Sequence, residues 1–150
     1  RYRRPDADLI MTPAQQAQLR QAAHERADCA AALAAKDCEA LAVLLSIGRT
    51  CGNEREVGYG TIIETIGLEA GNLLIDFLKA SQPMRHVMPL LDQGRLRIGS
   101  PLVQSTLQSL VGGPIDQADA DALCALGLQP DPLTARQVAE ALFHEDGSEK

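Results

Sequence analysis

Residues 59–111, YGTIIETIGLEAGNLLIDFLKASQPMRHVMPLLDQGRLRIGSPLVQSTLQSLV, decide how this chain folds. Within them Leu73, Leu74, Phe77 and Leu78 form one apolar stripe, with Asp76 and Lys79 on the other side. The pattern predicts a central core helix over 68–80. Gly71 inside it marks a close helix crossing, because an interior glycine costs about 1 kcal/mol relative to alanine. On this reading Phe77 is core, and Phe77→Ala costs about 3–5 kcal/mol. Just upstream, Thr61-Ile62-Ile63-Glu64 has the T-x-x-E form of a capping box and predicts a short helix that Gly67 closes. Downstream, Pro83 opens a segment with Met84, Val87, Met88 and Leu91 on one face. A kink or break is expected at Met88-Pro89, since the residue before a proline avoids helical angles. Arg95-Leu96-Arg97-Ile98 alternates and reads as a short extended piece. Ser100-Pro101 joins a cap to a first-turn proline and starts a helix carrying Val103, Leu107, Leu110 and Val111, which Gly112-Gly113 ends.

The flanks follow the same logic. Thr12-Pro13-Ala14-Gln15 is a capping box with proline at the first helical position, predicting a helix over 13–35. Its stripe is mostly alanine, which permits close approach but buries little area. Asp37 caps a second helix over 38–47, with Leu41, Leu44 and Leu45 inward and Gly48 at its end. Residues 49–59, RTCGNEREVGY, lack periodicity and read as a loop, either a solvated connector or a partner contact. Asp116 caps a helix with Leu123, Cys124 and Leu126 inward. QPDP reads as a rigid turn. Thr134-Ala135-Arg136-Gln137 is another capping box, with Leu133 and Val138 placed as a hydrophobic staple. The last helix buries Val138, Leu142 and Phe143, and residues 144–150 read as a frayed polar tail.

Composition agrees with this outline. Ala (22 residues) and Leu (21) dominate the 150-residue chain, and both favour helix. The expected fold is all-α: a compact bundle of about six to eight short helices forming one domain over 11–143, with no substantial sheet. No apolar run is long enough to span a membrane. The basic start Arg1, Arg3 and Arg4 is not followed by the apolar stretch of a signal peptide. Met11 reads as a start, which makes residues 1–10 a tag or upstream extension; the other reading is a basic arm that folds on an acidic or nucleic-acid partner.

Chemical motifs are scarce. Cys29, Cys38, Cys51 and Cys124 have no C-x-x-C pair, and His24, His86 and His144 lie far apart, so neither a metal site nor a cofactor is expected. Glu54/Glu56 and Asp119/Asp121 are spaced by two, which on a helix points the carboxylates apart. No G-x-S-x-G, phosphate-binding loop, H-E-x-x-H or G-x-G-x-x-G occurs. The chain is therefore read as no enzyme. Its net charge of −6 opposes bulk nucleic-acid binding. One helix and one helix pair hint at a helix-turn-helix. LTARQVAEALF (133–143) is followed only by an acidic tail, and the second helix of the 101–111/116–126 pair carries Asp119 and Asp121 without Lys or Arg.

The runs VGYGTIIETIGLEAGNLLIDFL, RHVMPLLDQGRLRIGSPLVQSTLQSLVGG, DQADADALCALG and DPLTARQVAEALF together resemble small helical proteins of tailed bacteriophages and prophages. The resemblance covers residues 11–143 and is one of phrasing, with no catalytic residues to carry over. It implies a structural or assembly protein of the head–tail or tail region. Such a protein would contact copies of itself or other phage structural proteins, in the virion or the host cytoplasm. The alternative is a small acidic phage accessory protein that binds and modulates a host protein; a DNA-binding regulator comes third. Candidate partner contacts are Arg49, Glu54, Arg55, Glu56, Tyr59, Arg95 and Arg97. If the acidic charge governs, a duplex DNA fragment titrated with the protein at low salt gives no mobility shift; a salt-sensitive shift would restore the regulator reading.

Overall fold

The computed structural model describes residues 10–150. The expected basic arm, Arg1, Arg3 and Arg4, lies outside the described residues. Among the described residues nine α-helices dominate, but four short strands form two small two-stranded antiparallel sheets. The expectation of no substantial sheet is therefore corrected to a mainly α fold with two β-ribbons. The reason is local. Residues 50–57 carry no helical stripe, and their backbone groups pair across the chain instead. The chain forms two compact units, residues 10–49 with Pro130–Lys150 and Thr50–Gln129, each around its own apolar cluster.

The first unit holds α1 (Pro13–Glu25), α2 (Ala30–Ala34), α3 (Cys38–Ser46) and α9 (Ala135–Leu142). The Thr12/Gln15 box forms as expected, with the Gln15 N–H donating to Thr12 Oγ1 at 3.3 Å and the Thr12 N–H to Gln15 Oε1 at 2.9 Å. The single helix expected over 13–35 does not. Arg26 leaves helical angles (φ −88°, ψ 117°), and a 3₁₀ turn at Ala27–Cys29 precedes α2. The Arg26 guanidinium fixes this corner, donating to the Leu44 carbonyl at 2.9 Å and to both Asp28 carboxylate oxygens. Asp37 caps α3, accepting from the Ala40 N–H at 3.0 Å. The Thr134/Gln137 box starts α9, which packs on α1 and α3. Leu19, Leu41, Leu45, Leu133, Val138 and Leu142 build the core. The tail expected to fray turns back instead: the His144 N–H donates to the Ser148 carbonyl and the Lys150 N–H to the Leu142 carbonyl, each at 2.8 Å.

The second unit runs β1 (Thr50–Gly52), β2 (Glu56–Val57), α4 (Tyr59–Ile66), α5 (Leu68–Ala80), α6 (Met88–Asp92), β3 (Leu96–Arg97), α7 (Pro101–Ser109), α8 (Gln117–Leu126) and β4 (Leu128–Pro130), whose last residue belongs to the first unit. β1 pairs with β4, and β2 with β3. The expected Thr61/Glu64 box is absent, because α4 already starts at Tyr59 after the extended Gly58 and Thr61 lies inside the helix. Pro89 does not break a helix; it sits in the first turn of α6, where no N–H is needed. Ser100 and Asp116 cap α7 and α8 as expected.

The stripe on α5 is also corrected. Its buried residues are Gly71, Leu74 and Ile75, while Leu73 and Phe77 are 56% and 47% exposed. Two apolar stripes overlap in this helix, and the partner helix chooses between them. A Cβ added at Gly71 would lie 2.9 Å from Ile63 Cγ1, so α4 crosses closely at that glycine and draws Leu74 inward.

A second close approach closes the unit. A Cβ on Gly52 would lie 2.3 Å from the Gly99 carbonyl oxygen, one on Gly99 2.3 Å from the Asn53 carbonyl oxygen, and one on Gly127 2.6 Å from the Gly99 nitrogen. Three backbone segments meet here with no room for side chains. The Asn53 N–H donates to the Gly127 carbonyl at 2.7 Å, and the Asn53 side-chain amide to the Leu126 carbonyl at 2.9 Å.

Urea unfolding checks both features. Leu74→Ala is expected to cost about 2–5 kcal/mol and Phe77→Ala under about 1 kcal/mol, reversing the ranking drawn from the stripe alone. Gly99→Ala is expected to cost about 3 kcal/mol, the upper end of the usual overpacking range, since the atoms in its way are backbone.

Candidate functional site

The sequence candidates divide between the two units. Arg49 belongs to the first. Its guanidinium meets the Asp131 carboxylate at 2.7 Å and the Asp131 carbonyl at 3.3 Å, while the Asp131 N–H returns to the Arg49 carbonyl at 3.1 Å. Arg49 is thus a clasp between two distant chain segments.

The remaining six lie in the second unit. β2 and β3 place Glu56 opposite Arg97 and Val57 opposite Leu96. Arg97 also forms an ion pair with Glu54, and both side chains are more than half exposed. Such a pair contributes about 0–1 kcal/mol, so it orders the ribbon without anchoring it. The anchor is apolar: Val57 and Ile98 are buried, and the Ile98 N–H donates to the Arg55 carbonyl at 3.1 Å. Arg55 and Arg95 are exposed on the same ribbon. One two-stranded ribbon therefore gathers Glu54, Arg55, Glu56, Arg95 and Arg97, with charges of both signs.

Tyr59, just past β2, is half-buried and faces inward with its polar end. Its hydroxyl is buried beside the Asp92 carboxylate, without a well-formed hydrogen bond to it among the described residues. Burial, and then the nearby Asp92 carboxylate, push its pKa up to about 12. Lys79 Nζ lies 5.2 Å from the ring centroid, a cation–π distance.

A second feature, missed by sequence reasoning, is an open groove of about 780 Å³ between the α4–α5 turn and the α7–α8 loop. Gly67 (φ +91°) turns the chain on one wall and Gly112 (φ +84°) on the other. Ile66, Leu68, Leu73 and Val111 give it an apolar lining, and Glu69, Asp116 and Asp119 add three carboxylates. Leu68 and Leu73 are among the more exposed large apolar residues of the chain. The usable signal was the pair Ile66-Gly67-Leu68 and Val111-Gly112-Gly113-Pro114-Ile115, where apolar residues flank turns rather than fill a helix face.

Burial pushes the Cys29 and Cys38 thiols up, which disfavours the nucleophilic thiolate at neutral pH. Among the described residues no group of three or more His, Cys, Asp or Glu is placed to hold a metal ion. No helix among them is long and apolar enough to cross a membrane. Comparison with protein-family models, curated proteins and solved structures finds no match for this chain.

Tyr59 sets a pH test. Its folded pKa lies above the ordinary value near 10, so its contribution to stability is full below about pH 10 and is lost as pH rises toward about 12. Tyr59→Phe is expected to stay within about 1.5 kcal/mol of the parent at neutral pH, because it gives up only the contact of one buried hydroxyl with Asp92. It should also lose less stability than the parent between those pH values, as read by urea melts at stepped pH.

Proposed function

We propose that this chain works by protein–protein contact through the open groove beside α5. The observation that carries the reading is the exposure of Leu68 (67%) and Leu73 (56%) side by side with Ile66 and Val111 on that groove. Water-facing apolar side chains gathered in a concave lining gain by burial against a partner, whereas scattered ones need no explanation. The β2–β3 ribbon, with Glu54, Arg55, Glu56, Arg95 and Arg97, is proposed as a charged contact that sets register, since exposed charges contribute more to specificity than to affinity.

The sequence resemblance supports a phage setting: a virion structural or assembly protein of the head–tail or tail region, bound to itself or to other phage structural proteins. The second reading, a small acidic accessory protein acting on a host protein, uses the same groove with a different partner. DNA binding is disfavoured by α8, which carries Asp119 and Asp121 behind its Asp116 cap and no cation.

Light scattering across a concentration series tests the assembly reading. The expected mass exceeds the 16.1 kDa monomer. Leu73→Asp is expected to return it to monomer with an unchanged circular dichroism spectrum, since Leu73 is not core. A monomer at every concentration would favour the accessory reading.

A further inference from the structure

The groove's rim carries information about the partner, and this inference rests on the contact reading above. Glu69, Asp116 and Asp119 line it, and among the described residues no Lys, Arg or His does. Among the same residues, none of the three carboxylates takes part in a salt bridge. Two helices begin at the groove, α5 and α8. Each helix N-terminus is equivalent to roughly half a positive charge, so the two together offset about one of the three negative charges. Asp116 also accepts the Asp119 N–H at 2.8 Å, which fixes its position on the rim. The balance stays negative, by about two charges, around an apolar lining.

That combination selects among partners. A purely apolar segment would bury Leu68 and Leu73 but would strip water from carboxylates without cations, and an acidic segment would add repulsion. A segment with apolar anchors and flanking cations meets both demands. We propose that the groove binds a basic amphipathic segment of a partner protein. Its apolar side chains lie on Leu68 and Leu73, and its lysines or arginines face Glu69, Asp116 and Asp119.

The test uses the full chain, labelled with ¹⁵N, and three amphipathic helical peptides of equal length built from Leu with Lys, Leu with Gln, or Leu with Glu. The Leu/Lys peptide is expected to shift backbone amides of residues 66–73 and 111–119 and to bind about tenfold more tightly than the Leu/Gln peptide. Glu69→Gln, Asp116→Asn and Asp119→Asn combined should collapse that preference; asparagine is as good an N-cap as aspartate, so the start of α8 is retained. Glu39→Gln, an exposed carboxylate of the other unit, should leave the preference intact and so separates groove binding from general attraction to an acidic protein. Equal binding of the Leu/Lys and Leu/Gln peptides at the groove would overturn the charge assignment and leave the contact surface standing. Shifts spread over other acidic surfaces, or no peptide at the groove, would overturn both.

Discussion

The second unit depends on a steric constraint: three stretches of backbone meet at Gly52, Gly99 and Gly127 at distances that exclude any side chain. The meeting brings β1 to the end of α8 and sets the residue after Ile98 between them. It also organises the neighbouring polar groups. Gln104 of α7 donates to the Ile98 carbonyl at 2.7 Å and to the Cys124 carbonyl at 3.1 Å, so α7 and α8 are tied to the same point. Each bond adds little by itself. Together they satisfy backbone groups that burial would otherwise leave unpaired. The α7–α8 loop, one wall of the groove, is held in place through this junction and through packing of Leu107, Ile115 and Leu123 in the core.

Local chemistry was well legible in the sequence. Thr12, Asp37, Ser100, Asp116 and Thr134 all cap the helix starts expected of them, because a cap needs only its own turn of chain. Non-local choices were not. Leu73 and Leu74 belong to overlapping stripes, and only the crossing of α4 at Gly71 decides which faces inward. Thr61-Glu64 has the letters of a capping box, yet Gly58 lets the helix start earlier. Of the strands, only β3 showed, in the alternation of Arg95-Leu96-Arg97-Ile98; β1, β2 and β4 are two or three residues long and leave no period, and the pairing partners lie some forty to eighty residues apart in β2–β3 and β1–β4. Of the site, the charged ribbon was visible as a cluster of alternating signs, whereas the groove exists only where two distant turns face each other.

The ribbon and the groove differ in kind. On the ribbon, Glu54 and Glu56 lie beside Arg97, so much of its charge is answered internally. In the groove, like charges gather without cations, and apolar side chains remain in water. Charge answered within the protein orients an encounter weakly, and unanswered charge beside apolar surface defines what can be buried there. This contrast is why the groove, rather than the more conspicuous run of charged residues, carries the functional reading.

The order of the chain bears on its biogenesis. The second unit is contiguous, and it sits between the two pieces of sequence that make the first. On the ribosome, α1, α2 and α3 emerge early, but Val138, Ala141 and Leu142 of α9, which complete their core, are made only after the insert. The nascent protein must therefore hold α3, with Leu41 and Leu45, without the cover of α9 while the whole inserted unit is synthesised. The insert can close first, since its two ends meet at β1 and β4. That interval is when the chain is most exposed to aggregation and to holding chaperones. It ends only when the Thr134 cap sets α9 in place.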